Sequence, residues 1–368
     1  MNGYELSVKG GTRSYPIYLR NNAGAELIER VIPLVQNGQV CVLTDERVSR
    51  LYATTFQHSL EAKGIRSTLI SVPEGERSKS LATAELVYQK LLKANADRET
   101  VLIGYGGGVI GDLGGFVAST FMRGMPFVQV PTTLLAQVDS SIGGKVGVNL
   151  PQGKNLVGTF YEPEFVWADT HHFKTLRPRD IRNGLAEVTK HSLLGGLHLF
   201  ENISEHAQTL MEGDAAQWLD RLPEIIGVKL NLVEADFREK GVRRHLNFGH
   251  TLAHAIEASD EFRSYGHGEA VAIGMRAMLR MSTLSLGLDS EVAMRVEELF
   301  DTFGFPTLTP EMLEIKTLNL LRTDKKKSGD LQRLILLSKI GEPRVVECDW
   351  NETLRRFGAL RSHPLMEA

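Results

Sequence analysis

The sequence predicts an α/β nucleotide-binding domain followed by an all-α domain, and three observations carry that expectation. Short apolar runs alternate with helical stretches through the first half, a glycine-rich segment joins one such run to a helix, and strand signals fade beyond Pro178. Ser14 to Leu19 alternates weakly and reads as an edge strand. Gln39 to Leu43 is a buried-strand run ending at Thr44-Asp45, where a helical stretch begins. Ser67 to Val72 is another, followed by Pro73-Glu-Gly-Glu-Arg-Ser-Lys79 and a helix through Leu92. Thr100 to Tyr105 opens directly into Gly106-Gly-Gly-Val-Ile-Gly-Asp112, and Phe127 to Val130 ends in Pro131-Thr132-Thr133. Strands spaced by helices in this way predict a mostly parallel sheet covered on both faces.

The glycine segment bears most directly on function. Glycines between a strand end and a helix start let backbone N–H groups approach a phosphate, with the positive helix end behind them. The segment lacks the third glycine of the usual dinucleotide fingerprint and the Gly-Lys-Ser/Thr ending of a Walker loop, so a tight turn without a ligand competes with that reading. Asp45 reads either as a ribose or adenine partner or as a helix cap. Gln137 to Asn149, continued by Gly153-Lys154-Asn155, reads as a loop wrapping an anionic ligand, since glycines there stand beside Asp, Lys and Asn; a solvated loop is the alternative.

A boundary falls at Lys174 to Pro178, dividing the chain into residues 1–176 and 177–368. Arg182 to His191 reads as a helix with Glu187 and Lys190 on one face, which alone would be a surface pair. An amphipathic run extends from Lys229 to Glu239, Arg333 to Ser338 is strand-like, and Asp324 to Lys327 reads as a solvated turn. In His245 to Glu257, helical spacing puts His250 and His254 one turn apart, with Asn247 a turn before them. Gly266 and Gly268 free the backbone to bring His267 back from a loop, so imidazoles and a carboxylate can converge on a borderline metal such as zinc. Paired core or surface histidines are the competing reading. Thr251 stands where a two-His zinc protease needs its general-base Glu, which argues against a peptidase.

Composition narrows the classes. A chain of 368 residues, 42% hydrophobic and 24% charged, can bury a core in each of two domains. A net charge of -3 offers no electrostatic footprint for nucleic acid or an anionic membrane. Cys41 and Cys348 lie far apart among apolar residues, as reduced thiols of a cytoplasmic protein would. The N-terminus shows no signal peptide, and no apolar segment is long enough to span a bilayer.

Taken together, from Asp45 to about Gly341, these stretches closely resemble the 3-dehydroquinate synthase family of sugar-phosphate cyclases. The resemblance rests on Pro73 to Lys79, Gly106 to Asp112, Val130 to Lys145, Gly153 to Asn155, Gly184 to Lys190, Leu246 to Thr251 and His267-Gly-Glu269, in that order. It implies an active site in the cleft between the domains, a catalytic Zn2+ or Co2+ held by Glu187, His250 and His267, and NAD+ regenerated in each turnover. His254 then moves from the ligand pair to substrate or a bound water. The cofactor would lie along Asp45, Glu74, Gly75, Glu76, Arg77, Ser78, Lys79, Gly108, Val109, Ile110, Gly111, Asp112, Thr132, Thr133, Lys145, Lys154, His172, Phe173, Lys174 and Thr175. Substrate would meet Arg123, Asp139, Lys145, Asn155, Lys190, Lys229, Arg243, Asn247 and His254, with Lys325-Lys326 adding charge nearby.

The reaction so implied converts 3-deoxy-D-arabino-heptulosonate 7-phosphate to 3-dehydroquinate and phosphate: transient oxidation by NAD+, phosphate elimination, reduction, ring opening and internal aldol closure. The motifs offer no uniquely obvious carboxylate base, so the substrate phosphate is the proposed base, with Asp139 or a water held by His254 as alternatives. The family also implies a homodimer. Ala253 replaces a usual Gly, Val146 a common Thr, and His171-His172 occupy a segment that usually differs, which bears on the details of the cofactor pocket. Lys229, Asn247 and His254 favour dehydroquinate over the cyclitols of secondary metabolism, and the many cations argue against a polyol dehydrogenase. The intact ligands together with Lys145 and Lys190 argue against an inactive scaffold. His58, His171, His191, His198, His206 and His245 read as surface or packing residues.

Overall fold

The computed structural model describes residues 3–9, 11–259, 265–321 and 331–361. It divides into two compact units, one of Met1–Leu176, Gly213–Ile226 and Val233–Phe237, the other of Arg177–Glu212, Gly227–Leu232 and Arg238–Ala368.

The first unit is built on a seven-stranded sheet of order β1-β2-β9-β6-β5-β3-β4. Its strands are β1 (Gly3–Val8), β2 (Tyr15–Arg20), β3 (Gln39–Asp45), β4 (Arg66–Val72), β5 (Val101–Gly106), β6 (Phe127–Pro131) and β9 (Phe165–Asp169). All neighbouring pairs are parallel except β1 with β2. Tyr15 to Arg20 is therefore not the edge: β1 covers it, with Tyr4, Leu6 and Val8 alternating with Glu5 and Ser7. Alternate residues of β3 feed two cores. Val40 and Val42 pack with Phe56, Ile103 and Trp167, while Cys41 and Leu43 pack with Ile70, Leu113 and Phe127. Burial on both faces explains why these strands read as continuous apolar runs.

Gln137 to Asn155 is not the loop the composition suggested. A turn of helix at Ala136–Ser140 leads into an antiparallel hairpin of β7 (Lys145–Leu150) and β8 (Gly153–Phe160). The glycines serve backbone approach here: a Cβ on Gly158 would lie 2.3 Å from the Val146 carbonyl oxygen.

The second unit is helical around His267–Leu286, whose residues from Gly268 to Ser282 are all buried. Pro178–Gly195 and His250–Ser259 belong to the same unit, with Ser290–Thr302 and Trp350–Leu360 further along. The strand-like segment is β10 (Gln332–Lys339), paired with an additional strand β11 (Glu342–Cys348), so a hairpin accompanies the helices. It is tied to the central helix by the Leu337 N–H donating to Ser282 Oγ at 2.9 Å. The run expected from Lys229 to Glu239 coincides only in part with a longer helix, Ala215–Ala235, which continues through Pro223 and whose residues are divided between the two units; Asp236 to Glu239 lie beyond its end.

Candidate metal centre and cofactor site

Three elements of the second unit bring Glu187, His250 and His267 together. Glu187 lies within Pro178–Gly195, His250 opens His250–Ser259, and His267 opens His267–Leu286. Their approach depends on missing side chains. A Cβ on Gly268 would sit 2.2 Å from the Asn183 carbonyl oxygen, and one on Gly274 would sit 2.0 Å from that of Gly249. Glycine at both points lets the central helix touch the backbone of its two neighbours. The start of that helix is fixed by Glu269, whose Oε2 accepts from Gly266 N at 2.7 Å and from Arg179 at 3.1 Å.

The donors then meet. Glu187 Oε1 lies 3.5 Å from His250 Nε2 and 3.6 Å from His267 Nε2, and one ligand atom from each residue falls within 4.8 Å of the others. One carboxylate oxygen and two imidazole nitrogens aimed at a common point suit a borderline divalent cation such as zinc or cobalt. The outer nitrogens face oxygen atoms: His250 Nδ1 is 3.2 Å from the Phe248 carbonyl and His267 Nδ1 is 3.5 Å from Glu257 Oε1.

Charge is tightly coupled here. Lys190 forms an ion pair with Glu187, and both side chains are withdrawn from solvent, so this is no surface pair. Burial, then the Lys190 charge, push His250 down to about 3 against the attraction of Glu187. Burial also works to lower His267, but hydrogen bonds and charge from Glu187 and Glu257 outweigh it and raise it to about 9. His254 is exposed, its ring centre 5.8 Å from that of His250. Lys229 and Arg243 are buried, and Asn247 donates to Glu239 at 2.6 Å, a carboxylate that no sequence motif singled out. His191 is fully buried. Lys325 and Lys326 lie outside the described residues.

In the first unit, β4 and β5 flank β3, so the strand order reverses between β3 and β5. Ligands of open α/β sheets bind at the carboxyl ends of strands flanking such a reversal. Asp45 ends β3, and β5 ends at Gly106 immediately before the helix Gly108–Thr120, which contains Val109, Ile110, Gly111 and Asp112. Asp45 does cap a helix, Oδ1 accepting from Arg47 and Val48 N–H, both at 2.9 Å. Burial raises its carboxyl above the usual range against those same bonds. Nearby, Tyr105 Oη is 3.0 Å from His172 Nε2, and Thr175 takes Tyr52 through its hydroxyl at 2.8 Å and Arg47 through its carbonyl at 2.7 Å. Phe173 is buried and Lys174 exposed. A strand-order reversal with a helix starting at glycine fits a dinucleotide.

Glu74 to Arg77 are exposed, whereas Ser78 and Lys79 are buried. Lys79 pairs with Asp112 at 2.5 Å and also donates to Asn155, bringing residues expected on cofactor and on substrate into one cluster. Thr132 is buried with its N–H on the Gly106 carbonyl, and Thr133 Oγ1 accepts from Ala136 N. Asp139 is half-buried, Lys145 is exposed at the start of β7, and Lys154 lies on β8. Arg123 is exposed, with φ 69 directly after Met122 at φ 47, a left-handed pair that turns it outward from the helix end. Of the departures noted in the sequence, Val146 packs against Gly115 and Ala253 is buried beside Gly274.

Residues 69–183 match the family model described as 3-dehydroquinate synthase N-terminal, and residues 184–327 match that described as 3-dehydroquinate synthase C-terminal. The chain is 38% identical to 3-dehydroquinate synthase of Neisseria meningitidis serogroup A over 95% of its length and 98% of the relative's. It is 41% identical to 3-dehydroquinate synthase of Pelobacter propionicus over 97% of this chain and 96% of that one. Among solved structures, 2-epi-5-epi-valiolone synthase of Streptomyces hygroscopicus, with NAD+ and Zn2+ bound, superposes with a TM-score of 0.86 at 26% identity, covering 95% of this chain and 96% of the other. The chain belongs to the 3-dehydroquinate synthase family.

Proposed function

We propose that this protein is a carbon-oxygen lyase that converts 3-deoxy-D-arabino-heptulosonate 7-phosphate to 3-dehydroquinate and phosphate, the second step of the shikimate pathway. The convergence of Glu187, His250 and His267 carries this reading, supported by relatives of that name about 40% identical over nearly the whole chain. When bound, the metal polarises the substrate hydroxyl and NAD+ accepts and then returns its hydride. Glu187, His250 and His267 would hold the metal, and the carboxyl ends of β3 and β5 would hold the dinucleotide, with its pyrophosphate at the start of Gly108–Thr120.

The remaining work falls to cations and confinement. Lys145, Lys229, Arg243 and Arg123 neutralise the substrate carboxylate and phosphate, while Lys190 balances Glu187. The substrate phosphate takes the proton during its own elimination, with Asp139 and a water held by His254 as the alternatives. We assign residues 1–176 to cofactor binding, with Arg123, Asp139 and Lys145 also serving the substrate, and 177–368 to metal and substrate, and infer a cytoplasmic homodimer. No helix among the described residues is long and apolar enough to cross a membrane.

A secondary-metabolic cyclase is the competing reading, because a valiolone synthase shares the fold at a TM-score of 0.86. Parallel assays of phosphate release from the heptulosonate phosphate and from a ketose phosphate of the same length that lacks the carboxylate separate the two. Release from the first alone supports dehydroquinate synthesis; cyclisation of the second alone overturns it.

A further inference from the structure

We propose that Glu257 is a positioning residue of the metal centre: its buried carboxylate orients the His267 ring so that Nε2 faces the point shared with Glu187 and His250. The proposal rests on the metal reading above. Glu257 lies two helical turns beyond His250 on the same face of His250–Ser259 and is 3% exposed. Burying a carboxylate is costly, so its retention among Leu252, Ala253, Ala255 and Ile256 calls for a partner.

His267 meets one carboxylate through each ring nitrogen, Glu187 Oε1 at 3.6 Å from Nε2 and Glu257 Oε1 at 3.5 Å from Nδ1. Only the first belongs to the converging donor set. An acceptor at Nδ1 keeps the proton on that nitrogen and leaves the Nε2 lone pair for a metal, while the negative charge makes the imidazole a stronger donor. His250 is arranged alike, with the Phe248 carbonyl as acceptor. The two histidines are not equally secured, however. His250 is 12% exposed, whereas His267 is 33% exposed and begins its helix. A side-chain anchor therefore matters more for His267.

The test is a Co2+ titration of the full chain, without NAD+ or substrate, using a competing chelator and the visible absorption of bound cobalt. Wild-type, Glu257→Ala, Glu257→Gln and Glu187→Gln proteins are compared. Glu257→Ala should weaken Co2+ binding about 10- to 100-fold and alter the cobalt bands, and Glu257→Gln should weaken it less because the amide oxygen still accepts. Should Glu257→Ala fail to fold, Glu257→Gln decides the matter by the same readouts. Wild-type affinity and an unchanged spectrum in the Glu257 variants, with binding lost in Glu187→Gln, would overturn the role of Glu257 alone. A wild-type chain that binds no cobalt would overturn the metal reading with it.

Discussion

Lys190 lies one helical turn beyond Glu187 and pairs with its carboxylate where neither side chain reaches solvent. Removing one partner of a buried pair leaves an uncompensated charge, at a cost of roughly 3–5 kcal/mol. Lys190→Met should therefore destabilise the metal-free protein by that order in urea unfolding. The loss should be much smaller with saturating Zn2+, whose charge faces the same carboxylate. Equal losses with and without zinc would contradict a coupling between Lys190 and the metal through Glu187.

The two histidines should make metal binding depend on pH in a definite direction. His250, pushed down to about 3, is already a neutral ligand at pH 7, whereas His267, raised to about 9, carries a proton that a metal must displace. Zn2+ affinity should therefore fall about tenfold per pH unit as pH drops below 9, one proton being released per metal bound. Chelator competition between pH 6.5 and 8.5 measures the slope; a flat profile contradicts this account of His267.

His172 gives a stability signature in the first unit. Burial holds it at about 4 in the folded chain, below its ordinary 6.5, so the unfolded chain binds the extra proton. Its contribution is fully present above pH 6.5 and is lost as pH falls from 6.5 to 4, on the order of 3 kcal/mol in all. His172→Gln should flatten that part of the stability profile relative to wild type. Parallel profiles would show that His172 does not titrate this way.

Lys145 is exposed at the head of β7, so its removal should cost the fold little, within about 0.5 kcal/mol. Losing a hydrogen bond to a charged substrate group, by contrast, costs about 1.5–3 kcal/mol. Lys145→Ala should lower kcat/KM by at least about tenfold with an unchanged melting temperature. Unchanged kinetics with the heptulosonate phosphate would remove Lys145 from substrate binding.

The central strands β3, β5 and β6 were legible because parallel strands buried on both faces leave unbroken apolar runs. β9 was not, although Phe165 to Ala168 is an apolar run like that of β6: Glu162-Pro163-Glu164 stands before it in place of a helix, so the strand–helix alternation breaks there. β7 and β8 were hidden by glycines that mimic a loop, and β11 by Pro343 and its charges. For the site, helical spacing offered His250 with His254, yet Glu187 and His267 stand beside His250 through helix packing at Gly268 and Gly274, which periodicity does not encode. Long motifs in family order named that trio. Glu257 looked like one more residue of a buried helix face, and only its contact with His267 sets it apart.

The most direct test of the account is a single incubation of purified protein with 3-deoxy-D-arabino-heptulosonate 7-phosphate, NAD+ and Zn2+, following released phosphate together with absorbance at about 340 nm, where NADH absorbs. Phosphate matched by 3-dehydroquinate, no net NADH and loss of both products in Glu187→Gln is the predicted result. NADH accumulating in step with turnover, or no phosphate release from this substrate, would contradict it.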